Sequence, residues 1–287
     1  MNILKEKHIA DCSTPDEFKE TLKKFGLPKF TTLDGINPTG PLDDIDAWGK
    51  YPETAGYDLY FKYDYNSFGF RDTELNSDVD ICYYGCSYSF GEGVPVEARW
   101  TNIVDNNLEF TSNNFCIPGS SPEDMLHLFM STINFVNMKK AVFLFPDYYR
   151  YRMPICFSEN DIRFMSLHPN FKELSTELQY QQAGKIMYML PMEFWYDRFR
   201  KTLQTICHIA KLKNIKLYFS TWYYPNAADI TEITKFYNVV NLPVFRSDGR
   251  GRDAITKKMP GSGHPGINSH KNFAIEVSQI LGTQLGI

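Results

Sequence analysis

The chain has 287 residues, a formal net charge of -4 and a sequence pI near 5.9. Its 43% hydrophobic and 15% aromatic content is enough for a well-filled core in one large domain, or in one domain with an extension. The acidic balance argues against general affinity for nucleic acid, which requires a basic face.

Residues 1–75 are predicted to form an N-terminal extension that packs on the core. Within it, residues 14–25 predict an amphipathic helix with Ser13 or Thr14 as its cap and Pro15 in its first turn. Residues 27–65 are rich in Pro, Gly, Asp and aromatic side chains and have no sustained periodicity, so we expect irregular structure. These rings either clad the core or offer a surface for stacking on sugars, and the sequence leaves both interpretations open.

Residues 76–287 are predicted to form an α/β domain, because strand and helix signals alternate along them. The predicted strands are residues 79–84, 114–117, 141–145, 215–220 and 239–244. The predicted helices are residues 100–108, 122–135, 194–212 and 270–281. Strands separated by helices indicate a mostly parallel sheet covered on both faces, with ligands bound at the carboxyl ends of the strands.

Ser87 lies on a glycine-flanked turn where the first predicted strand gives way to a helix. A serine on such a turn exposes its hydroxyl to a neighbouring base. The unpaired N–H groups at the following helix start can hold a developing oxyanion. A turn of this kind also occurs as an ordinary strand–helix connection, so the segment alone is compatible with either role.

Several segments together resemble the SGNH/GDSL hydrolase family. Residues 85–94 resemble its first block, with Cys86 where the family usually has Asp, and residues 66–72 resemble an Asn-x-x-Gly-x-Arg segment that precedes this block in one branch. Residues 114–119 resemble the second block, and residues 263–270 resemble the last. The resemblance implies a flavodoxin-like three-layer α/β/α sandwich, the SGNH hydrolase fold.

The resemblance also implies roles for individual residues. Ser87 is the expected nucleophile, and His264 is the expected general base. The backbone N–H groups of Ser87 and Gly119 are the expected oxyanion donors. His270, at the start of the last predicted helix, is read as structural.

Asp147 departs from the family pattern, which has at this position an Asn that donates its side-chain amide to the oxyanion. An ionised carboxylate accepts hydrogen bonds and cannot donate one, so it would repel an oxyanion. Either Arg150 supplies positive charge instead, or Asp147 is protonated, or the site is not a normal hydrolase site.

The acid partner of His264 is a second departure. The family places it three residues earlier, where this chain has Gly261. Asp253 is favoured over Asp248, because Gly-Arg-Asp followed by His-Pro-Gly resembles the form of some relatives with an insertion between.

A long insertion at about residues 148–193 follows the third predicted core strand, and its second half, residues 171–192, reads as helical. Because it emerges beside the proposed site, it could act as a lid or substrate wall, and an oligomer contact is equally compatible with its sequence. The sequence does not indicate an oligomeric state.

The function that the resemblance implies is a serine-dependent carboxylic-ester hydrolase acting on a small-molecule or glycan ester, with carbohydrate deacetylation as one possibility. Transfer of the acyl group to another hydroxyl would use the same residues. A catalytically impaired SGNH-fold binding module, or a structural module of a virus particle, is the alternative class. No cofactor and no metal are expected, since no spacing suggests a metal site.

The N-terminal residues contain no apolar run long enough for a secretory signal, and no segment reaches the length of a membrane span. We therefore expect a cytoplasmic protein, although association with a virus particle would leave no mark in the sequence. The cysteines lack metal-binding pairs such as Cys-x-x-Cys and are scattered along the chain, as Cys12, Cys82, Cys86, Cys116, Cys156 and Cys207.

Overall fold

The computed structural model describes residues 8–24, 63–92, 94–158, 161–167, 178–246 and 264–283. Asp248 and Asp253 lie outside these residues, as does most of the aromatic segment 27–65.

The described elements alternate between helix and strand through most of the chain. The strands are β1 (Asp78–Gly85), β2 (Ser112–Asn114), β3 (Asn137–Phe145), β4 (Tyr151–Ser158), β5 (Asp161–Leu167), β6 (Lys216–Thr221) and β7 (Val239–Asn241). The helices are α1 (Pro15–Lys24), α2 (Ser87–Phe90), α3 (Trp100–Leu108), α4 (Pro122–Thr132), α5 (Leu178–Met189), α6 (Met192–Lys213), α7 (Tyr224–Phe236) and α8 (Ile267–Thr283).

The main sheet has five strands in the order β2-β1-β3-β6-β7, and every neighbouring pair in it is parallel. The chain leaves β1 for β2 on one side and then crosses to β3 on the other. This strand order is that of the flavodoxin-like class, in which ligands bind where the order reverses, at the carboxyl ends of the strands. The carboxyl ends of β1 and β3 are therefore where a site is expected.

Helices cover both faces of this sheet. Successive side chains of a strand point to opposite faces, so apolar residues on both faces need helices to pack against. The Tyr84 ring packs against Phe129 of α4, with ring centroids 5.6 Å apart. The ring of the preceding residue, Tyr83, packs against Trp100 of α3 on the other face, at 5.3 Å. Helices α1, α4, α6 and α7 contribute to the first apolar cluster, and α3 and α8 to the second. The predicted three-layer α/β/α fold is confirmed.

Most core elements lie where the sequence predicts them. Helix α3 has the predicted bounds, and α1 begins one residue later than predicted, with the Thr14 hydroxyl accepting the Glu17 N–H. Ser121 caps α4 through a reciprocal capping box with Asp124.

The strand bounds differ from the predicted ones where polar residues pair in the sheet, or where apolar residues lie outside it. Strand β3 begins at Asn137, four residues before its apolar run, because its polar start still pairs with β1. Strand β2 ends at Asn114, although the apolar residues that follow it are buried. The insertion contains the antiparallel hairpin of β4 and β5, which the sequence did not predict, and α7 was also missed.

Within the described ranges, none of the helices combines the length and the apolar character that a membrane span requires. The same ranges hold no cluster of three or more His, Cys, Asp or Glu side chains that could bind a metal ion.

Candidate active site

Ser87 is the first residue of the short helix α2, two residues after the end of strand β1, and is 7% exposed. Cys86 between them has an extended backbone and is fully buried. Gly85 is required by close packing, since a Cβ there would lie 2.6 Å from the Cβ of Ser89. The predicted strand–turn–helix setting of Ser87 is confirmed.

Gly119 lies in a tight turn after β2. The Ser120 N–H donates to the Ile117 carbonyl at 3.0 Å, Pro118 holds the second position, and Gly119 has a φ of 78°. This is the arrangement of a type II turn, in which the third residue needs a positive φ that glycine adopts without strain.

Two hydrogen bonds hold this turn against the strand end that leads to Ser87. The Gly85 carbonyl accepts from the Ile117 N–H at 3.0 Å and from the Ser120 hydroxyl at 3.2 Å. Among the described residues, no backbone hydrogen bond uses the N–H of Ser87 or of Gly119. Both groups can therefore donate to a ligand at this edge.

Asp147 follows the end of β3 at the same edge and is 2% exposed. Its carboxylate lies 3.3 Å from the Arg150 guanidinium, and its carbonyl accepts the Arg150 N–H at 3.1 Å. A neighbouring guanidinium offsets part of the charge of a carboxylate, and the three alternatives for how this edge meets an oxyanion all stay predictions. Burial and this carboxylate raise the pKa of the Tyr149 hydroxyl.

His264 lies beside the Ser87 turn rather than on the far side of the sheet. Its ring is in edge contact with Tyr88, with centroids 5.8 Å apart, and its Nε2 is 3.4 Å from Glu92 Oε2. No hydrogen bond joins the Ser87 hydroxyl to another side chain of the described residues. The two predicted catalytic side chains thus occupy one edge without sharing a hydrogen bond in this structure.

A row of aromatic rings connects the His264 side of the edge to the Asp147 side. The Tyr88 ring stacks on Trp222 at 4.8 Å and meets Phe245 edge-on at 5.6 Å. The Arg150 guanidinium lies 5.8 Å from the centre of the Trp222 ring. Tyr88 and Trp222 are half-buried, so they offer apolar surface to a ligand while remaining packed.

Arg71 fixes the backbone of the turn that carries Ser87. This buried side chain donates to the carbonyls of Phe90 at 3.3 Å, Gly91 at 2.6 Å and Val94 at 2.8 Å. Burial and the nearby Arg99 lower its pKa to about 9, so it still carries its charge at neutral pH. The sequence signal for this role was the Asn-x-x-Gly-x-Arg segment, to which no physical role had been assigned.

The same upstream segment is shaped by Asn66, whose side-chain oxygen accepts the N–H groups of Phe68 and Phe70. Tyr63 and Tyr65, the described end of the predicted aromatic extension, pack against Phe90 of α2. Those two rings therefore clad the core.

The start of the predicted insertion packs on helix α6. The Tyr148 ring stacks on Tyr196 of α6 at 4.4 Å, and Arg198 of α6 pairs with Glu123 at 2.7 Å. Burial raises the pKa of Glu123 to about 7, although Arg198 opposes this shift. The predictions of a lid, a substrate wall and an oligomer contact all remain predictions.

Comparisons with known proteins find similarity in solved structures. No family model matches the chain, and no curated protein does. The psychrotrophic esterase EstA from a Pseudoalteromonas species, solved with monoethylphosphonate as inhibitor, is 12% identical, with a TM-score of 0.46 over 74% of this chain and 100% of that one. TesA is 14% identical, with a TM-score of 0.45 over 70% of this chain and 97% of that one.

A GDSL-like lipase from Bacteroides thetaiotaomicron is 10% identical, with a TM-score of 0.40 over 72% of this chain and 89% of that one. The solved structures that this chain resembles thus include proteins of the same GDSL type that its sequence motifs resemble.

Proposed function

We propose that this protein is a serine-dependent carboxylic-ester hydrolase, with Ser87 as the nucleophile and His264 as the general base. The observation that carries the proposal is the position of both residues at one edge of the sheet, with His264 in contact with Tyr88, the residue after Ser87. The place of Ser87 also supports this role. Ser87 begins the helix that follows the carboxyl end of β1, and ligands bind at the carboxyl ends of the strands in sheets of this kind.

In the proposed reaction, His264 takes the proton of the Ser87 hydroxyl as its oxygen attacks the ester carbonyl carbon. The tetrahedral intermediate then expels the alcohol, which receives the proton from the imidazolium, and leaves an acyl group on Ser87. Water, deprotonated by His264, attacks the carbonyl carbon of this acyl-enzyme, and the bond to Ser87 Oγ breaks as Oγ takes the proton back from the imidazolium and the acid leaves. The reaction is balanced without a cofactor.

The developing oxyanion is proposed to accept from the N–H groups of Ser87 and Gly119. Support comes from the two hydrogen bonds to Gly85, which hold the Gly119 turn against the strand end before Ser87. Donors fixed in advance stabilise the transition state more than donors that must reorganise. Asp147 and Arg150 are proposed to shape this edge as an ion pair and not to donate directly.

For the substrate class, we propose an acyl or acetyl ester of a small molecule or a glycan. The half-buried rings of Tyr88 and Trp222 beside the nucleophile support a sugar, because flat aromatic faces pack well on sugar rings. Transfer of the acyl group to an acceptor alcohol in place of water would use the same groups.

A catalytically impaired binding module is the second candidate. Two observations favour it: the Ser87 hydroxyl has no hydrogen bond to His264 in this structure, and Asp147 replaces an amide donor. Losing one oxyanion donor typically costs about 100- to 1000-fold in rate, which slows an enzyme without abolishing its activity.

Labelling by a fluorophosphonate separates the two candidates, because the probe reacts only with an activated serine. We expect the wild type to be labelled and to hydrolyse p-nitrophenyl acetate, and both activities to be lost in Ser87→Ala. Ser89→Ala is the matched control, since it removes a buried hydroxyl two residues along the same helix. A wild type that is neither labelled nor active on the ester would favour the binding module.

A further inference from the structure

Among the residues that the structure describes, Glu92 places a carboxylate beside His264. Its Oε2 lies 3.4 Å from His264 Nε2, and the two side chains are 24% and 17% exposed. Partial burial strengthens such a contact, because solvent screens it less than it screens a pair on the open surface.

The backbone fixes Glu92 relative to the nucleophile. The N–H groups of Gly91 and Glu92 donate to the Ser87 carbonyl, at 3.0 and 3.1 Å. Arg71 holds the carbonyls of Gly91 and Val94 on either side of Glu92. The turn that presents the serine hydroxyl therefore also sets the position of this carboxylate.

The chain has no carboxylate three residues before His264, where glycine occupies position 261. We propose that Glu92 takes that part: it orients the His264 imidazole and stabilises the imidazolium that forms when Ser87 loses its proton. This inference rests on the proposed function of Ser87 and His264. Glu92 is a positioning residue, because it acts through the histidine and does not touch the substrate.

The other titratable groups near His264 and Glu92 cannot stabilise a positively charged His264 ring. Electrostatic interactions connect Glu92 to Tyr65 and connect His264 to His270 of α8. Burial raises the pKa of Tyr65 to about 12 and lowers that of His270 to about 3, so both are neutral near pH 7. Arg71 is cationic and interacts with both Tyr65 and His270. Neither neutral group can balance an imidazolium, and a cation would disfavour it.

The test measures the rate of fluorophosphonate labelling against pH for the wild type and for Glu92→Gln, which keeps the side-chain shape. We expect labelling near pH 7 to fall about 10- to 100-fold, less than the roughly 10,000-fold lost when a fully buried triad carboxylate is neutralised. We also expect the acid limb of the profile to move to lower pH, because a carboxylate favours the protonated imidazole and its loss makes the histidine easier to deprotonate. A merely structural role would not move this limb.

Glu97→Gln is the matched control, since it removes the same charge from an exposed glutamate five residues away and should leave the profile unchanged. Glu92→Asp should restore part of the lost rate. Asp253→Asn tests the aspartate that the sequence favours.

The inference is overturned if Glu92→Gln labels at the wild-type rate with an unmoved acid limb, and all the more if Asp253→Asn then loses the rate. Absence of Ser87-dependent labelling in the wild type would instead remove the proposed function itself, so the two failures are distinguishable.

Discussion

His270 shows how a buried histidine can serve the site without titrating. Its Nδ1 accepts the Trp100 N–H at 3.2 Å, and its ring meets Phe245 edge-on at 5.2 Å. Burial, with smaller contributions from Arg71 and Arg99, lowers its pKa from 6.5 to about 3. The neutral ring thereby joins α8 to the start of α3 behind the His264 loop.

This lowered pKa makes stability depend on pH in one direction. The unfolded state binds a proton at His270 below about pH 6.5 and the folded state does so only near pH 3, so the stabilisation is present above 6.5 and is lost as the pH falls through that window. Between pH 7 and pH 5, the wild type should lose about 2 kcal/mol more unfolding free energy than His270→Gln, which cannot titrate. Urea unfolding at the two pH values measures this difference.

The comparison of pH dependences cancels the groups that the two proteins share, including Asp105, whose pKa burial raises to about 6. His270→Gln is expected to be less stable at pH 7 because of altered packing, and only the change with pH is diagnostic. Equal losses in the two proteins would show that His270 titrates normally.

At the scale of residues, the sequence predicted candidate positions but not all of the contacts that they make. Ser87, Gly119, Asp147 and His264 were predicted from the resemblance of their segments to family motifs, and the first three also from their place after a strand. The contact of His264 with Glu92 joins residues that are 172 positions apart in the chain. No local pattern encodes such a contact, and it depends on how the loop before α8 returns to the sheet.

At the scale of elements, Arg71 connects the segment before β1 to the turn after it. Its guanidinium serves three backbone carbonyls and lies 4.2 Å from the Tyr63 ring. The planar fork of arginine suits this task, because one group donates to several acceptors in fixed directions.

Arg71→Met should therefore loosen the turn. Leaving buried carbonyls unsatisfied costs about 1–3 kcal/mol for each group, so we expect a loss of unfolding free energy of about 3 kcal/mol or more. Urea unfolding measures the loss, and slower fluorophosphonate labelling should accompany it.

Arg246→Met serves as the control for Arg71→Met, since Arg246 is an exposed arginine over the Tyr224 ring and its loss should change stability by no more than about 0.5 kcal/mol. Similar unfolding curves for the two variants would contradict the role assigned to Arg71.

Elements with a strong periodic signal were predicted well, and those defined by long-range pairing were not. Helix α3 and strand β1 follow from apolar spacing alone. The β4–β5 hairpin depends on cross-strand pairing within the insertion, and no Asn-Gly or Asp-Gly pair marks its turn. Helix α7 begins with Tyr-Pro-Asn, a start that reads equally well as a loop.

At the scale of the whole molecule, the parallel sheet accounts for the assembly of the candidate site. Residues that follow β1, β2 and β3 reach one edge because all three strands run in the same direction. The sequence predicted this convergence through the alternation of strands and helices. It could not predict how closely the serine and histidine approach, since that distance depends on side-chain packing by Tyr88, Trp222 and Phe245.

A crystal structure of the protein after reaction with a fluorophosphonate tests the central claim most directly. We predict phosphorus bonded to Ser87 Oγ, with the phosphonyl oxygen about 3 Å from the N–H groups of both Ser87 and Gly119 and the His264 ring within hydrogen-bonding reach of the adduct. An unmodified Ser87, or an adduct whose oxygen points away from the Gly119 turn while His264 stays apart, would contradict the account.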